Sequence, residues 1–364
     1  MKIKDVTNYI EELAPLAYAE DFDNVGLLVG NYQIKVKGVL VTLDTLEETV
    51  DEAIAKNCNL IISFHPIIFS GLKKLNGNSY VEKAVLKAIK NDIAIYATHT
   101  ALDNSNKGVS AKICEVLGLQ NTKVLIPKKG IVKKLTTYIP KDYLEKVRQA
   151  LFEAKAGNIG NYDHCSFTNI GEGTFKGNEN SNPVLGKKGE LQKEEEIQLT
   201  ITFEQKNEAA ILEALIENHP YEEVAYEITT TENVHQNIGM GMIGELEKPL
   251  EEKDFLVYLK KTMQTDCVRY SNLLHKKIHR VAVLGGSGSF AISNAIKEKV
   301  DAYVSADFKY HDFFKAENKI LLADIGHYES EQFTKRLLVD YLTKKFSNFA
   351  IVLSEKSTNP IYYI

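Results

Sequence analysis

Residues 36–103 alternate between two patterns of apolar and polar positions. Continuous apolar runs, "VKGVLVTLD", "LIISFHP" and "IAIYATHTALD", are typical of strands that are buried on both faces. Between them, "TLEETVDEAIAKN" and "YVEKAVLKAIKND" have apolar residues at helical spacing. This strand–helix–strand order predicts a parallel sheet with helices on both faces.

The C-terminal third has the same organisation. "HRVAVLGGSGS", "DAYVSAD" and "KILLADIGHYES" are predicted strands separated by helical stretches, and "FAIVLSE" is a predicted closing strand. Together the two stretches predict an α/β fold in which two pseudo-repeated parallel-sheet halves form one core domain.

Residues 125–245 differ in character from the chain on either side. The predicted order there is β-α-β-β-α-β with a long Gly/Asn/Lys-rich loop, which resembles a ferredoxin-like α+β module. We expect this module to be inserted into a discontinuous core domain formed by residues 1–124 and 246–364.

Composition narrows the class of protein. A chain of 364 residues is long for one domain, and 44% hydrophobic with 26% charged residues is ordinary for a soluble globular protein. The net charge of −5 argues against general nucleic-acid binding. The four cysteines include no C-x-x-C pair, and no run approaches the length of a membrane span. We therefore expect a soluble, cytoplasmic protein with reduced thiols.

Residues able to bind a metal follow the predicted strands in both halves. In open α/β sheets ligands collect outside the carboxyl ends of the strands, so these side chains are expected to converge. The residues are His65, His99, Asp103, Asp307, His327 and Glu331.

Two of these histidines precede a carboxylate by four residues. His327 and Glu331 share one helix face if "HYESE" opens a helix. His99 and Asp103 have the same separation, but we expect a turn there rather than a helix. The alternative to metal binding by such a pair is an ordinary contact on a helix surface. Asp44 and Asp307 lie at the ends of predicted strands, and for them the alternative is to cap a helix or a turn.

Imidazole combined with carboxylate suits zinc, iron or manganese better than calcium. Carboxylates gathered at a dry strand edge without cations each bear a desolvation penalty of several kcal/mol. Two ions about 3.5–4 Å apart, bridged by Glu331 and a hydroxide, are consistent with this set of residues.

Three further motifs are interpreted without a catalytic role. "GGSGS" (285–289) lacks the Lys-Ser/Thr of a P-loop, so a tight turn is favoured over a phosphate cradle. "NHPYEEVAYE" (218–227) brings His219, Glu222 and Glu223 close together, but a helix end with a solvated acidic strand edge is favoured over a site. "KYHDFF" (309–314) is an aromatic-rich helix start, where packing of His311 is favoured over a place in the cleft.

Eight segments resemble, in order and over essentially the whole chain, the NIF-three-like family, also called GTP cyclohydrolase 1 type 2 homologs. They are "FDNVGLLVG", "LIISFHPIIFSGLKKL", "THTALDNSNKGVS", "AGNIGNYDHCSF", "NHPYEEVAYEI", "VAVLGGSGSF", "ADFKYHD" and "GHYESE". The resemblance implies an α/β core with a dinuclear metal centre, a toroidal hexamer and an inserted PII/CutA-like module.

By position, the resemblance implies His65, Asp103, His327 and Glu331 as metal ligands, with Glu331 bridging and His99 beside the centre. Many members carry two adjacent histidines before the proline, whereas this chain has Phe64-His65-Pro66. One ion then loses a protein ligand and is completed by water, by His99, or bound more weakly. We therefore expect one or two divalent ions per chain, zinc, iron or manganese.

Two functions follow as hypotheses. The first is a metal-dependent hydrolase acting on a small anionic substrate, a nucleotide or other phosphoester, or on a purine ring as the family name suggests; His99 would relay a proton or orient the substrate. The second is a non-catalytic hexameric metal-binding scaffold or sensor, in which the inserted module binds an effector.

Overall fold

The computed structural model describes all residues 1–364 and divides them into two compact units. The first comprises Met1–Lys128 and Gln236–Ile364, and the second comprises Lys129–His235. Strands and helices are mixed throughout the first unit, so the predicted α/β class is confirmed.

The chain forms fifteen β-strands. They are β1 Gly26–Val29, β2 Val39–Thr42, β3 Leu60–Ser63, β4 Ala94–Ala97, β5 Gln120–Lys128, β6 Val132–Pro140, β7 Phe167–Phe175, β8 Gln192–Glu204, β9 Tyr226–Thr230, β10 His235–Glu251, β11 Arg269–Tyr270, β12 Lys277–Ser287, β13 Ala302–Ala306, β14 Leu321–Asp324 and β15 Ile351–Leu353.

Eleven α-helices connect them, together with five short 3₁₀ turns. The helices are α1 Ile3–Leu13, α2 Glu47–Ala55, α3 Tyr80–Lys90, α4 His99–Asp103, α5 Val109–Val116, α6 Leu144–Glu153, α7 Glu208–Asn218, α8 Glu252–Thr262, α9 Ile292–Lys297, α10 His327–Glu331 and α11 Thr334–Lys345.

The first sheet has the order β1-β4-β3-β2-β15. β2, β3, β4 and β15 are parallel, and β1 pairs with β4 in the antiparallel sense. Every residue of β2, β3 and β4 is buried, in agreement with their continuous apolar runs. β15, which the sequence placed as the closing strand of the C-terminal half, instead lies at the edge of this sheet beside β2.

The second sheet has the order β11-β14-β13-β12-β10-β5. β12, β13 and β14 are parallel, whereas β10 and β11 pair in the antiparallel sense. Both sheets therefore have a parallel centre with an antiparallel edge, and the expectation of wholly parallel halves is wrong at the edges. Their relation as a pseudo-repeat stays a prediction.

One apolar core lies between the two sheets. It combines residues from both, such as Ile62 and Val283, with residues from α5, α8 and α11, such as Phe255 and Leu338. Separate clusters cover the outer faces, with α2 and α3 on the first sheet and α9 on the second. Because the sheets share one core, loops following strands of both halves can meet in one site.

The second unit contains a four-stranded sheet of order β7-β8-β6-β9, and its neighbouring strands are all antiparallel. α6 and α7 supply Val147, Leu151, Ile211 and Leu215 to its buried core. A PII/CutA-like identity for this unit stays a prediction.

Helices long and apolar enough to cross a bilayer are absent from the chain. All four cysteines are free thiols, and Cys58 and Cys114 are buried.

Glu52 of α2 fixes the chain that follows β15. Its carboxylate accepts hydrogen bonds from the Ser354 hydroxyl at 2.6 Å and from the Glu355 amide at 2.9 Å, and Lys56 lies 3.0 Å away. Burial alone would raise the pKa of Glu52, but these partners outweigh it and lower the pKa below its ordinary value.

We expect Glu52→Gln to lower the free energy of unfolding by about 1–3 kcal/mol at neutral pH, because hydrogen bonds to a charged group are weakened. A folded-state pKa below the unfolded value gives stabilisation that is full above the unfolded pKa and is lost as pH falls through the folded one. In denaturant titrations, the difference in free energy of unfolding between the wild type and Glu52→Gln should therefore be smaller at about pH 4 than at neutral pH. Glu48→Gln, an exposed position on the same helix, is the control. A difference that stays constant with pH would contradict this account.

Candidate metal centre

Three of the predicted metal ligands lie close together, each in a segment that follows a strand of one of the two sheets. His65 follows β3, and its backbone amide donates to the Leu43 carbonyl at 2.9 Å. His327 and Glu331 lie on α10, which follows β14 and has Gly326 as its N-cap. The prediction that "HYESE" opens a helix is therefore confirmed.

Residues His99–Asp103 form a short helix, α4, so the expected turn is wrong. The carboxylate of Asp23 accepts a hydrogen bond from the Thr100 amide at 3.0 Å, which satisfies one of the free donors of the first helical turn. The Asn104 side chain donates to the Thr100 carbonyl at the other end. His99 itself has a positive φ of 23°, a backbone conformation that is rare for a residue other than glycine.

One oxygen of Glu331 lies between two imidazoles. Its Oε2 is 3.2 Å from Nε2 of His65 and 3.3 Å from Nε2 of His327. One ligand atom from each of the three residues lies within 4.8 Å of the others, so the cluster could bind a metal ion.

The surroundings of Oε2 of Glu331 are suited to a bound cation. Glu331 is 3% exposed, and its Oε2 is fully buried without a hydrogen-bond partner although both nitrogens are near. Two imidazole nitrogens and a carboxylate oxygen that face one point are the donor set of a zinc, iron or manganese site.

Each histidine of the cluster is oriented by an aspartate. Nδ1 of His65 is 2.8 Å from Asp44, and Nδ1 of His327 is 2.7 Å from Asp307. An aspartate on Nδ1 fixes the ring and leaves Nε2 to face the cluster, which is the usual arrangement around a metal-binding histidine. Asp44 and Asp307 therefore do not serve only as caps.

His99 has the same kind of partner. Its Nδ1 is 2.8 Å from Asp23, and its ring lies 5.3 Å from that of His65 between ring centres. Burial would raise the pKa of Asp23, but hydrogen bonds with His99 and Thr100 lower it to about 2, so the carboxylate is ionised at neutral pH.

Without a bound cation, the charges of His65, His327 and Glu331 shift one another's pKa values. Burial opposes the charged form of each group, but the neighbouring carboxylates raise the pKa of His65 to about 10 and that of His327 to about 11. The two imidazoles in turn lower the pKa of Glu331 to about 2. A cation must therefore displace protons from both rings.

Asp103 lies at the end of α4, outside the three-residue cluster but within reach of its charges. Desolvation, and then the charge of Glu331, raise the pKa of Asp103 well above its ordinary value. A cation beside this carboxyl group would act in the opposite direction and favour its ionised form.

The "GGSGS" stretch leaves space for Glu331. A Cβ atom on Gly286 would lie 2.4 Å from Oε1 of Glu331, and the residue has a φ of +70°. The Gly286 amide donates to the Ser330 hydroxyl at 2.8 Å. β12 continues through Ser287, so this stretch extends the strand into the site where the sequence indicated a tight turn.

Phe64 is fully buried in the core between the two sheets. Its ring lies 4.8 Å from that of His65 and 5.6 Å from that of His99, measured between ring centres. It therefore supports both imidazoles by packing and offers no ligand atom.

Asp23 belongs to the candidate site, although neither its spacing nor its residue type predicts this. It lies 76 positions before His99, between the N-terminal helix and β1, and no spacing rule links the two. The signal was its presence in "FDNVGLLVG", one of the segments that carry the family resemblance.

The chain belongs to the Duf34/NIF3 (NGG1p interacting factor 3) family, which matches residues 1–360. A Bacillus subtilis protein called "GTP cyclohydrolase 1 type 2 homolog" is 38% identical over 370 residues, covering 99% of this chain and 98% of that protein.

Solved structures agree with this family. A Bacillus cereus protein related to NIF3 has a TM-score of 0.83 at 35% identity, covering 100% of this chain and 99% of the other. The Staphylococcus aureus protein SA1388 has a TM-score of 0.77 at 30% identity, with the same coverage.

We expect Gly286→Ala to weaken metal binding at least about tenfold, because the new methyl group displaces a carboxylate oxygen of Glu331. Metal content after dialysis against a buffered chelator measures the effect. Gly77→Ala is the matched control, since Gly77 has a φ of +78° and its nearest neighbour is 3.9 Å away. Equal metal loss in the two variants would assign the effect to backbone strain alone.

Proposed function

We propose that this protein is a metal-dependent hydrolase whose metal is held by His65, His327, Glu331 and Asp103. The observation that carries the proposal is the buried, unbonded Oε2 of Glu331, which faces two aspartate-oriented imidazoles. Substrates in keeping with it are a nucleotide, another phosphoester or a purine ring.

A divalent ion at this position would supply Lewis-acid activation of water at neutral pH. Asp44 and Asp307 would hold His65 and His327 with Nε2 directed at the ion. Asp103 would supply the remaining oxygen ligand, because a nearby cation would offset the desolvation and the charge of Glu331 that raise the pKa of its carboxyl group.

His99 is our candidate for proton transfer. Its Nδ1 is occupied by Asp23, which leaves Nε2 to accept a proton from water or to donate one to a leaving group. The ionised Asp23 stabilises the imidazolium that forms when His99 takes up a proton.

A single ion fits this chain better than two. Phe64 stands where the family resemblance implies a second histidine, and its fully buried ring offers no ligand atom. The same feature favours a second candidate function, a non-catalytic hexameric scaffold or sensor in which the ion has a structural role.

Elemental analysis of protein purified under anaerobic conditions, followed by a panel of nucleotides and phosphoesters, separates the two functions. We expect about one zinc, iron or manganese per chain and turnover that is lost in both His327→Ala and Asp103→Ala, together with metal. His311→Ala, an exposed histidine outside the cluster, should keep both. Stoichiometric metal without turnover on any substrate would instead support the scaffold.

Asp23→Asn should lower kcat by about 10²–10⁴-fold, since the amide cannot stabilise a protonated His99. Asp23 is a positioning residue, so metal content should remain unchanged while the pH dependence of kcat shifts. Asp21→Asn, a nearby exposed carboxylate, is the control. Metal loss in Asp23→Asn, or an unchanged pH profile, would contradict proton transfer by His99.

A further inference from the structure

Each aspartate that orients a histidine of the site is itself bonded by a hydroxyl group. The hydroxyl donor and its aspartate are Thr100 with Asp23, Ser287 with Asp307, and Thr358 with Asp44. The same arrangement, in which a hydroxyl group holds an aspartate and the aspartate holds an imidazole, therefore occurs three times.

Thr358 differs from the other two hydroxyl residues in its origin. Thr100 lies on α4 and Ser287 is the last residue of β12, whereas Thr358 belongs to the segment that follows β15. It comes 314 positions after Asp44 and is 8% exposed. A distant part of the chain therefore reaches the carboxylate that orients His65.

Both oxygens of Asp44 are used in this arrangement. Oδ1 lies 2.8 Å from Nδ1 of His65, and Oδ2 accepts a hydrogen bond from Thr358. The backbone of Asp44 is fixed as well, because its carbonyl accepts from the Thr42 hydroxyl at 2.9 Å. A second bond to the carboxylate fixes its plane, and this plane sets the direction in which the imidazole points.

Asn359 makes a corresponding contact on the other side of the cluster. Its side-chain nitrogen donates to Oε1 of Glu329 at 3.0 Å, and its side-chain oxygen accepts from the Ile361 amide at 3.1 Å. Glu329 is 8% exposed and lies on α10, the helix that carries His327 and Glu331. Two consecutive residues therefore bond to the supports of both sides of the cluster.

The segment is anchored where it begins. The Ser354 amide donates to the Val41 carbonyl at 2.9 Å, and the Ser354 hydroxyl and the Glu355 amide donate to Glu52. Because its start is fixed, ordering of the next few residues costs less conformational entropy. The bonds made by Thr358 and Asn359 can then hold their partners in place.

We propose that Thr358 and Asn359 are positioning residues of the metal cluster. Thr358 acts on His65 through Asp44, and Asn359 acts on α10 through Glu329. This inference rests on the proposed function for the identity of the cluster as a metal site. It does not require turnover, because the orientation of the ligands affects metal affinity directly.

Zinc dissociation constants of the full-length protein, measured by competition with a chelating dye, test the role of Thr358. Thr358→Val removes the hydroxyl at nearly constant volume and should weaken zinc binding about 10- to 100-fold. Thr358→Ser keeps the donor and should remain within about threefold of the wild type.

Thr343→Val is the matched control for these variants. It removes an exposed hydroxyl that donates to the Val339 carbonyl on α11, so zinc binding should be unchanged. Wild-type zinc affinity in Thr358→Val, or equal losses in Thr358→Val and Thr358→Ser, would overturn the inference.

Nitrogen NMR of the histidine rings in the metal-free protein separates the two positioning residues. Thr358→Val should shift the ring signals of His65 and leave those of His327 in place, whereas Asn359→Ala should do the opposite. A general loss of structure would move both sets of signals in each variant, and that result would overturn the assignment. Ring signals that respond to neither substitution would overturn it too.

The two proposals can fail separately. Zinc binding that depends on the Thr358 hydroxyl, without turnover of any substrate, would refute the hydrolase and leave the positioning role intact. Zinc-dependent turnover with an affinity that is indifferent to Thr358→Val would do the reverse. A wild-type protein that binds no metal would refute the proposed function, and the ring signals of the metal-free variants would still decide whether Thr358 and Asn359 orient the two histidines.

Discussion

The site depends on charge compensation for one buried carboxylate. Glu331 lies at the meeting point of two sheets with an oxygen that the protein leaves unbonded, and two imidazoles are its only neighbours of opposite charge. In the metal-free protein, protons on His65 and His327 provide this compensation. A divalent cation at this position would provide it more directly, and it would compete with protons for the same nitrogens.

The fold meets this requirement through features that lie well apart in the sequence. Three histidines each have an aspartate on Nδ1, and these aspartates come from three different loops. The glycines at the end of β12 admit the Glu331 side chain. The shared core between the sheets holds these loops at fixed positions, which is why a site assembled from distant segments can be rigid.

Much of this was predictable because parallel strands present their carboxyl ends at one edge. The rule predicts that His65, His327 and Glu331 lie close together, as they do in the structure. It could not place β15, since a short apolar strand carries no information about which sheet edge it joins. Nor could it find Asp23, whose contact with His99 depends on tertiary packing across 76 positions. The helix at His99–Asp103 was missed for the same reason, because the carboxylate that caps its first turn is distant in sequence.

The same electrostatic constraint explains why the site and its cavity differ in character. Asp44 and Asp307 orient two histidines of the candidate metal site and also form part of the wall of the adjoining cavity, which has a volume of about 570 Å³. This wall contains neither lysine nor arginine, so a cation bound at the cluster would be the source of positive charge beside the cavity.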